Sequence, residues 1–498
     1  MIEHLAASLS SPLAELFSQS LATGVVPDDW KVAVVKPFFK GGNKHAPENY
    51  RPISLTDVVG KVMERWIKAQ LMIHVDQTAL LTDRQHGFVK NLSCSTNLLL
   101  AREAWVECWD NKEHTDVVFV DFSKAFDRVN HAILLNLLLE YGFPAHLIHW
   151  VDSFLDNRLF RVRVNGVLSA ERGVYSGVPQ GSVLGPLLFC LYINKLPGLL
   201  SSECLLFADD LKLWRSVKTD LDAAALQTDL DTLVRAADEL HLPINANKCQ
   251  HLPVGTLPST SYQVGGNLLR KDSVVRDLGI LVRTDLKTRD HTALAATKGL
   301  RLLWALRRSF SLWTTSSVPK LINTFIRPVM EYGAPAYFPS TKTECYQLEG
   351  VQRLATRLIP ELRGFSYIER CTTLDLFILE YRRTRMDLIT VFKTVCFGKL
   401  QPVEHLFPPS QTVNTRGHRY KLCKPRFTRA PNVYSIRCRV ITLWNSLPPH
   451  VVEAPSVDVF KLRLDTHLWN SSSTWQREPI PGEAYPRIPP PSHLQQAP

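Results

Sequence analysis

The chain contains no apolar run near the ~18 residues that a membrane-spanning helix requires, which excludes a helical membrane anchor within it. It has no C-x-x-C pair, so neither a zinc knuckle nor a dithiol redox motif is signalled. No internal repeat is visible, which excludes a solenoid or propeller. The start, Met1 to Ser10, carries Glu3 and lacks the basic-then-apolar layout of a secretory signal. An intracellular setting is therefore expected. Nucleus and cytoplasm stay equally open, because the basic residues form no compact import cluster. The ten cysteines are scattered, and several sit in apolar company, as Cys190 does between Phe189 and Leu191. They read as reduced core thiols.

What is present is ordinary globular composition: 498 residues, 45% hydrophobic and 21% charged, enough for roughly three domains. The net charge of +11 is concentrated. Val351 to Val440 holds 17 Lys/Arg against 6 Asp/Glu, while the remainder is balanced at 41 of each sign. A basic block of this kind favours polyanions, nucleic acid first. A soluble basic surface is the plainer alternative.

Periodicity supplies the elements. Helical spacing runs through residues 1–23 to Gly24, over Val58 to Ile73, Ile133 to Leu139 and Leu221 to Leu240. Strands are expected from Trp30 to Pro37, Val117 to Asp121, Leu205 to Phe207, Leu211 to Trp214 and Leu278 to Val282. Arg161 to Gly166 alternates with period two and turns at Asn165-Gly166, a hairpin signal. From Thr292 to Phe310, Lys298, Arg301 and Arg308 share one helical face while Leu302, Leu303 and Leu306 share another. The tail from Trp475 is proline-rich and is expected to be disordered.

Three carboxylates invite a chemical reading. Asp209 and Asp210 sit at a tight turn between two apolar strands, and Asp121 ends a third. Pairing those strands would bring the three into one small volume, which needs a compensating cation. Two Mg²⁺ ions about 3.5–4 Å apart would supply it, activate a 3′-hydroxyl and stabilise departing pyrophosphate. The dipeptide alone is weak evidence, since Asp is a favoured turn residue and Asp28-Asp29 has no such setting.

Its company is specific. D-F-S-K-A-F-D opens at Asp121, S-G-V-P-Q-G-S-V-L-G-P at Ser176 and F-A-D-D at Phe207. Around them stand N-Y-R-P-I-S-L (Asn49 to Leu55), Q-H-G-F (Gln85 to Phe88) with Ser95-Thr96, N-A-N-K-C (Asn245 to Cys249) and D-L-G-I-L (Asp277 to Leu281). This ordered series, over roughly Trp30 to Val282, resembles the reverse transcriptases of LINE-type (non-LTR) retrotransposons.

The resemblance implies an α+β right-hand polymerase with a helical, basic C-terminal extension. Its parts would be an N-terminal helix and fingers (1–111), a palm with the catalytic aspartates (112–282), a helical thumb (283–400), a basic region (401–474) and the proline-rich tail (475–498). Asp121, Asp209 and Asp210 match the catalytic metal-binding aspartates, Asp209 being the better direct ligand of the pair, and Val120 to Phe122 would lend a backbone carbonyl. The cofactor implied is two Mg²⁺, with Mn²⁺ an alternative. Asp127 belongs to the same block but matches no metal ligand; a helix N-terminus or hydrogen-bond role suits it. Phe126 matches the aromatic beneath the incoming sugar, where a ring leaves no room for a 2′-hydroxyl. Gln180 and Gly181 match residues lining the nucleotide pocket and template strand. A helix is expected to begin near Ser182.

Arg51 matches the fingers arginine on the triphosphate, with Lys36 or Lys40 assisting, a guanidinium being suited to bidentate phosphate contact. Lys248 matches a lysine that protonates departing pyrophosphate. Asp277 to Leu281 would form the strand pair at the primer end, and Lys298, Arg301 and Arg308 would meet a nucleic-acid backbone. Ser435 to Arg439 and Leu443 to Pro448 resemble segments downstream of the polymerase, with Trp444 a stacking or core residue.

The partners implied are an RNA template, a DNA primer and dNTPs; no membrane is involved, and the oligomeric state is open. Only about 29 residues precede Trp30, where such elements usually carry an endonuclease, and neither an RNase H carboxylate set nor a Cys/His knuckle follows. A polymerase-bearing fragment or host-coded derivative is expected, without independent target nicking. The rival readings are a binding-only, catalytically impaired or domesticated remnant, a maturase-like or telomerase-like enzyme, and a DNA-templated polymerase.

Overall fold

The computed structural model describes residues 6–255, 260–398, 400–411, 417–425 and 435–468. The proline-rich tail lies outside them. The chain divides into two compact units, Met1–Asn97 with Glu113–Ser273, and Leu98–Lys112 with Val274–Pro498.

In the first unit the strands are β1 (Val32–Phe39), β2 (Tyr50–Leu55), β3 (His114–Val120), β4 (Arg158–Val164), β5 (Val167–Leu168), β6 (Arg172–Val174), β7 (Glu203–Phe207), β8 (Asp210–Val217), β9 (Gln250–Val254), β10 (Gln263–Val264), β11 (Asn267–Leu268) and β12 (Arg270–Lys271). One sheet runs β2-β1-β4-β5, with β6 also on β4; the other runs β12-β9-β3-β8-β7. Helices His131–Glu140, Gly185–Tyr192 and Asp220–Glu239 bury Leu134, Leu138, Leu188, Leu191, Leu226, Leu230 and Leu233 in one core with Val118, Val120, Leu206, Leu211 and Leu213 of the second sheet. Burial on this scale, about 1.5–3 kcal/mol for each large apolar side chain, fixes the sheet that carries the candidate carboxylates.

The expected elements appear with shifted ends. Trp30 belongs to a short helical turn, Asp28–Lys31, and the strand starts at Val32. The Asn165-Gly166 hairpin forms with both residues left-handed (φ 50° and 84°). The helix expected near Ser182 starts at Gly185, whose N–H donates to the Ser182 hydroxyl at 2.9 Å.

The second unit holds the hairpin β13 (Val274–Asp277) and β14 (Ile280–Arg283) followed by helices. The strand expected from Leu278 to Val282 is thus the turn and second arm of a hairpin, with Leu278 and Gly279 left-handed (φ 43° and 89°). Helices Arg289–Ser309, Lys342–Arg357 and Tyr367–Thr373 share a core of Leu303, Leu306, Leu348, Val351, Ala355, Tyr367 and Cys371. Trp444 is fully buried and its indole N–H donates to the Tyr420 carbonyl at 2.8 Å, so it is a core residue and not a stacking platform. Among the described residues no helix is long and apolar enough to cross a membrane.

Candidate active site

The site is built by strand register. Antiparallel pairing of β3 with β8 sets Val120 opposite Leu211, and β7 returns to β8 with Phe207 opposite Asp210. The two residues left over, Ala208 and Asp209, make the turn, with Ala208 left-handed at φ 56°. Asp121 follows Val120 directly and so comes level with Asp210 at the head of β8. Asp121 and Asp209 are half-buried, and Asp210 is exposed.

The electrostatics agree with that proximity. Burial raises the Asp209 carboxyl above its ordinary value, and the charge of Asp121 raises it further, against opposing effects from its own backbone N–H, Arg51 and Lys40. Asp121 is also raised by burial and is offset by Lys248, whose Nζ lies 3.8 Å from Oδ1, and by Lys40. Lys40 therefore acts on both carboxylates. Lys36 is exposed on β1, opposite Ile53. Arg51 is exposed opposite Phe38.

Among the described residues no three His, Cys, Asp or Glu side chains close into a ready cage for a metal ion. The site is an open, all-oxygen one. That donor set fits a hard cation such as Mg²⁺, which takes one or two carboxylates and completes its shell with phosphate oxygens and water. A further oxygen is available from the main chain. Phe122 pairs with Ile244 through its neighbours, Asn245 N–H donating to Asp121 O at 2.8 Å and Ser123 N–H to Pro243 O at 2.9 Å. Its own carbonyl consequently points away from Ile244, toward the side of β3 on which β8 lies.

Phe126 stacks on Phe189 (centroids 4.2 Å apart, planes 20° apart) and receives Phe88 edge-on at 6.3 Å. Gln180 and Gly181 lie beside β2. Ser54 N–H donates to the Gln180 carbonyl at 2.8 Å, and a Cβ on Gly181, which sits at φ 123°, would come within 2.4 Å of Ser54 O. Glycine is required there.

Four residues that the sequence reading left without a role hold this framework. Gln85, buried, accepts from Gly87 N–H (2.7 Å) and from Ala208 N–H (3.0 Å), the first residue of the Asp209 turn. A Cβ on Gly87 would meet Ala208 N at 2.4 Å, so the Q-H-G-F block is a cradle for F-A-D-D. Asn97 donates to Leu206 O at 3.0 Å, bracing the strand that leads into the turn. Glu64, buried, accepts from Val183 N–H (2.6 Å) and Leu184 N–H (3.0 Å), and burial raises its carboxyl despite those bonds. The signal for the first two was the motif itself. For Glu64 there was none, since a mid-helix glutamate in sequence reads as solvated.

In the second unit, Arg301 and Arg308 are exposed on helix Arg289–Ser309, with Leu303 and Leu306 buried as the angles required. Lys298 is only half-exposed. It lines a cleft of about 320 Å³ with Arg276, Gly279, His291 and Tyr332. Burial, with Lys298 and Arg383 nearby, pushes His291 down to about 4, so its imidazole is neutral at pH 7.

Part of the basic surplus of 351–440 is consumed internally. Arg382 pairs with Glu331, Arg385 with Asp465 (2.6 Å), Arg437 with Glu103 (3.2 Å) and Arg439 with Asp387 (3.1 Å). Arg370 and Arg383 are buried on the Phe365 and Met330 carbonyls. Three of the answering acids, Glu331, Asp465 and Glu103, lie outside the stretch that was counted. Ser435 and Ile436 also bond to Glu103, at 2.6 and 2.8 Å, so S-I-R-C-R is a helix start capped by a buried carboxylate. Deleting 351–498 would therefore unfold the second unit. Single substitutions are the cleaner test of nucleic-acid contact: Lys298→Gln, Arg301→Gln and Arg308→Gln are each expected to reduce the slope of log K for RNA binding against log[salt] by about 1. Three unchanged slopes would show that this helix face does not meet phosphate.

Residues 40–279 match the family described as reverse transcriptase (RNA-dependent DNA polymerase). The matched stretch is just under half of the chain and agrees with the resemblance read from the sequence, and the α+β class expected there holds. The relatives are those of non-LTR retrotransposons. The chain is 31% identical over 367 residues to the RNA-directed DNA polymerase from mobile element jockey of Drosophila melanogaster, covering 70% of this chain and 39% of that protein. It is 30% identical over 385 residues to the probable RNA-directed DNA polymerase from transposon BS of the same species, covering 73% and 41%. This chain thus spans well under half the length of those relatives. A solved telomerase from Candida albicans, in complex with a fragment of telomeric RNA, aligns over 78% of this chain and 63% of its own at 12% identity and a TM-score of 0.41.

Proposed function

We propose that the chain is an RNA-directed DNA polymerase that adds dNTPs to a primer 3′-hydroxyl. The observation that carries this is the register of β3, β7 and β8, which sets Asp121 level with the Asp209-Asp210 turn so that their charges interact. Half-buried carboxylates that repel one another are a standing cost unless a cation is to share them. Relatives named RNA-directed DNA polymerases support RNA as the template.

In this reading residues 1–111 contribute the N-terminal helix and fingers, 112–282 the palm, 283–400 the thumb and 401–474 the basic extension. Asp121, Asp209 and Asp210, with the Phe122 carbonyl, would hold two Mg²⁺, which would lower the pKa of the attacking hydroxyl and offset charge on the leaving pyrophosphate. Arg51 and Lys40 both act on Asp209, and Lys40 also on Asp121, which suits them to bind a triphosphate at this site. Phe126 and Gln180 bound the sugar and base side of the pocket. Lys248, beside Asp121, is placed to hold or give a proton at the pyrophosphate. Positioning and charge neutralisation carry the reaction, with no protein nucleophile. A binding-only remnant is the rival reading, and the presence of all three aspartates weighs against it.

The test is primer extension. The purified chain, given a DNA primer on an RNA template with Mg²⁺ and dNTPs, is expected to lengthen the primer, and EDTA is expected to stop it. A chain that binds the primer–template but never extends it, with either Mg²⁺ or Mn²⁺, would leave only the binding module. Arg51→Ala is expected to raise the KM for dNTP about tenfold with a smaller effect on primer–template affinity. An unchanged KM would remove Arg51 from the triphosphate site.

A further inference from the structure

Asp127 does not ligate a metal in the reading above, yet the D-F-S-K-A-F-D and S-G-V-P-Q-G blocks are joined around it. Gly177 N–H donates to Val129 O and Val178 N–H to Phe126 O, both at 2.8 Å, and the Ser176 hydroxyl donates to the Asp127 carbonyl at 3.0 Å. Gly177, left-handed at φ 85°, lies so close on the Asp127 backbone that a Cβ would come within 2.7 Å of three of its atoms. Farther along, the Gln180 main chain is tied to β2 by Ser54. The Gln180 backbone is therefore fixed on both sides, and what remains free is the rotation of its side-chain amide. The Gln180 Nε2 donates to Asp127 Oδ1 at 2.7 Å.

We propose that Asp127 is the positioning residue that sets the Gln180 amide, so that an acceptor oxygen and not a donor N–H faces the incoming nucleotide. The chemistry leaves one orientation. An ionised carboxylate only accepts, so it takes the NH₂ end of the amide and turns the carbonyl oxygen the other way. An asparagine or water at the same place could accept from the NH₂ end or donate to the carbonyl end, and would leave the amide free to flip. Gln180 is tied on one side to β2, the strand carrying Arg51, and on the other to Asp127, the neighbour of Phe126, and both segments are assigned to the nucleotide pocket. A fixed acceptor there favours a nucleotide that offers a hydrogen-bond donor, and it does so without ordering cost at each binding event.

The inference rests on the polymerase reading, and the experiment separates the two. Steady-state extension is measured on one RNA template at varied dNTP for wild type, Asp127→Leu, Asp127→Asn, Gln180→Ala and the Asp127→Leu/Gln180→Ala pair. The affinity for dNTP is measured in parallel on a dideoxy-terminated primer, where no bond can form. Asp127→Leu, nearly isosteric but with no acceptor, is expected to raise both the KM and the Kd for dNTP about tenfold while kcat stays within about threefold. Asp127→Asn, which can meet either end of the Gln180 amide, is expected to recover only a minor part of that loss. In the Gln180→Ala background Asp127→Leu is expected to change the Kd by less than about twofold, because the group it orients is gone. Losses that multiply in the double variant, or a fall in kcat at unchanged KM, would overturn the assignment and make Asp127 a purely structural tie. A wild type that binds dNTP on the terminated primer but does not extend an open one defeats the polymerase reading alone; one that does neither defeats both.

Discussion

Asp209→Asn is expected to abolish primer extension, by about a thousandfold or more, and at the same time to raise the thermal stability of the metal-free protein. The first effect follows from removing one of the three carboxylate charges at a site whose catalysis rests on charge neutralisation. The second follows from the direction of the pKa shift. Burial and the neighbouring Asp121 hold the Asp209 carboxyl above its ordinary value. Between the unfolded and folded pKa values the folded chain binds more protons than the unfolded one, so stability falls as pH rises through that window. Above it the full cost of the ionised group persists. The amide carries no such cost at pH 7, and a gain in Tm of about 2 °C is expected, shrinking as the pH is lowered toward 4. Added Mg²⁺ should reverse the order, stabilising wild type more than the variant, because an ion that binds only the folded state shifts the unfolding equilibrium by mass action. Melting curves at two pH values, with and without Mg²⁺, check this. A variant that melts lower in the absence of metal would show that the carboxylate is a structural hydrogen-bond partner, and retained extension would remove it from the reaction.

That opposition between activity and stability bears on what the sequence could disclose. The strands flanking Asp209 are legible because they are short apolar runs, and the turn is legible because two polar residues interrupt them. Asp121 is legible as the end of a third such run. Their register is not, since pairing β3 with β8 joins residues about a hundred apart, and no local pattern states which strand lies beside which. The Leu278-Gly279 turn is hidden from periodicity for a different reason: leucine seldom adopts φ near 43°, so D-L-G-I-L alternates like a continuous strand, and only the resemblance implied a strand pair there. Gln85 and Asp127 illustrate the general limit. Each is a polar residue in a recognisable block, but its role is a side-chain bond to a segment 123 or 53 positions away. The basic stretch shows the same limit in charge. A count along the chain sees Arg385, Arg437 and Arg382 but not the carboxylates that fold back onto them.

Phe126→Val is expected to bring ribonucleotides into use, raising kcat/KM for NTP relative to dNTP by about 10–100-fold. The argument depends on the ring being held still. Phe189 lies parallel against one face at 4.2 Å and Phe88 meets it edge-on, so the side chain cannot swing aside at little cost. A rigid wall can refuse a 2′-hydroxyl where a mobile one would yield, since forcing an extra atom into a packed site costs about 1–3 kcal/mol. Valine removes most of the ring and leaves space where the hydroxyl would lie. Phe126→Tyr keeps the stacked ring and should keep the discrimination. The valine variant is also expected to lose about 1–2 kcal/mol of stability with the Phe189 stack, so the comparison must be made as a ratio of the two substrates in one preparation. Equal ratios for wild type and Phe126→Val would mean that sugar choice is made elsewhere, and the ring would then serve only to pack Phe88 and Phe189 beneath the turn.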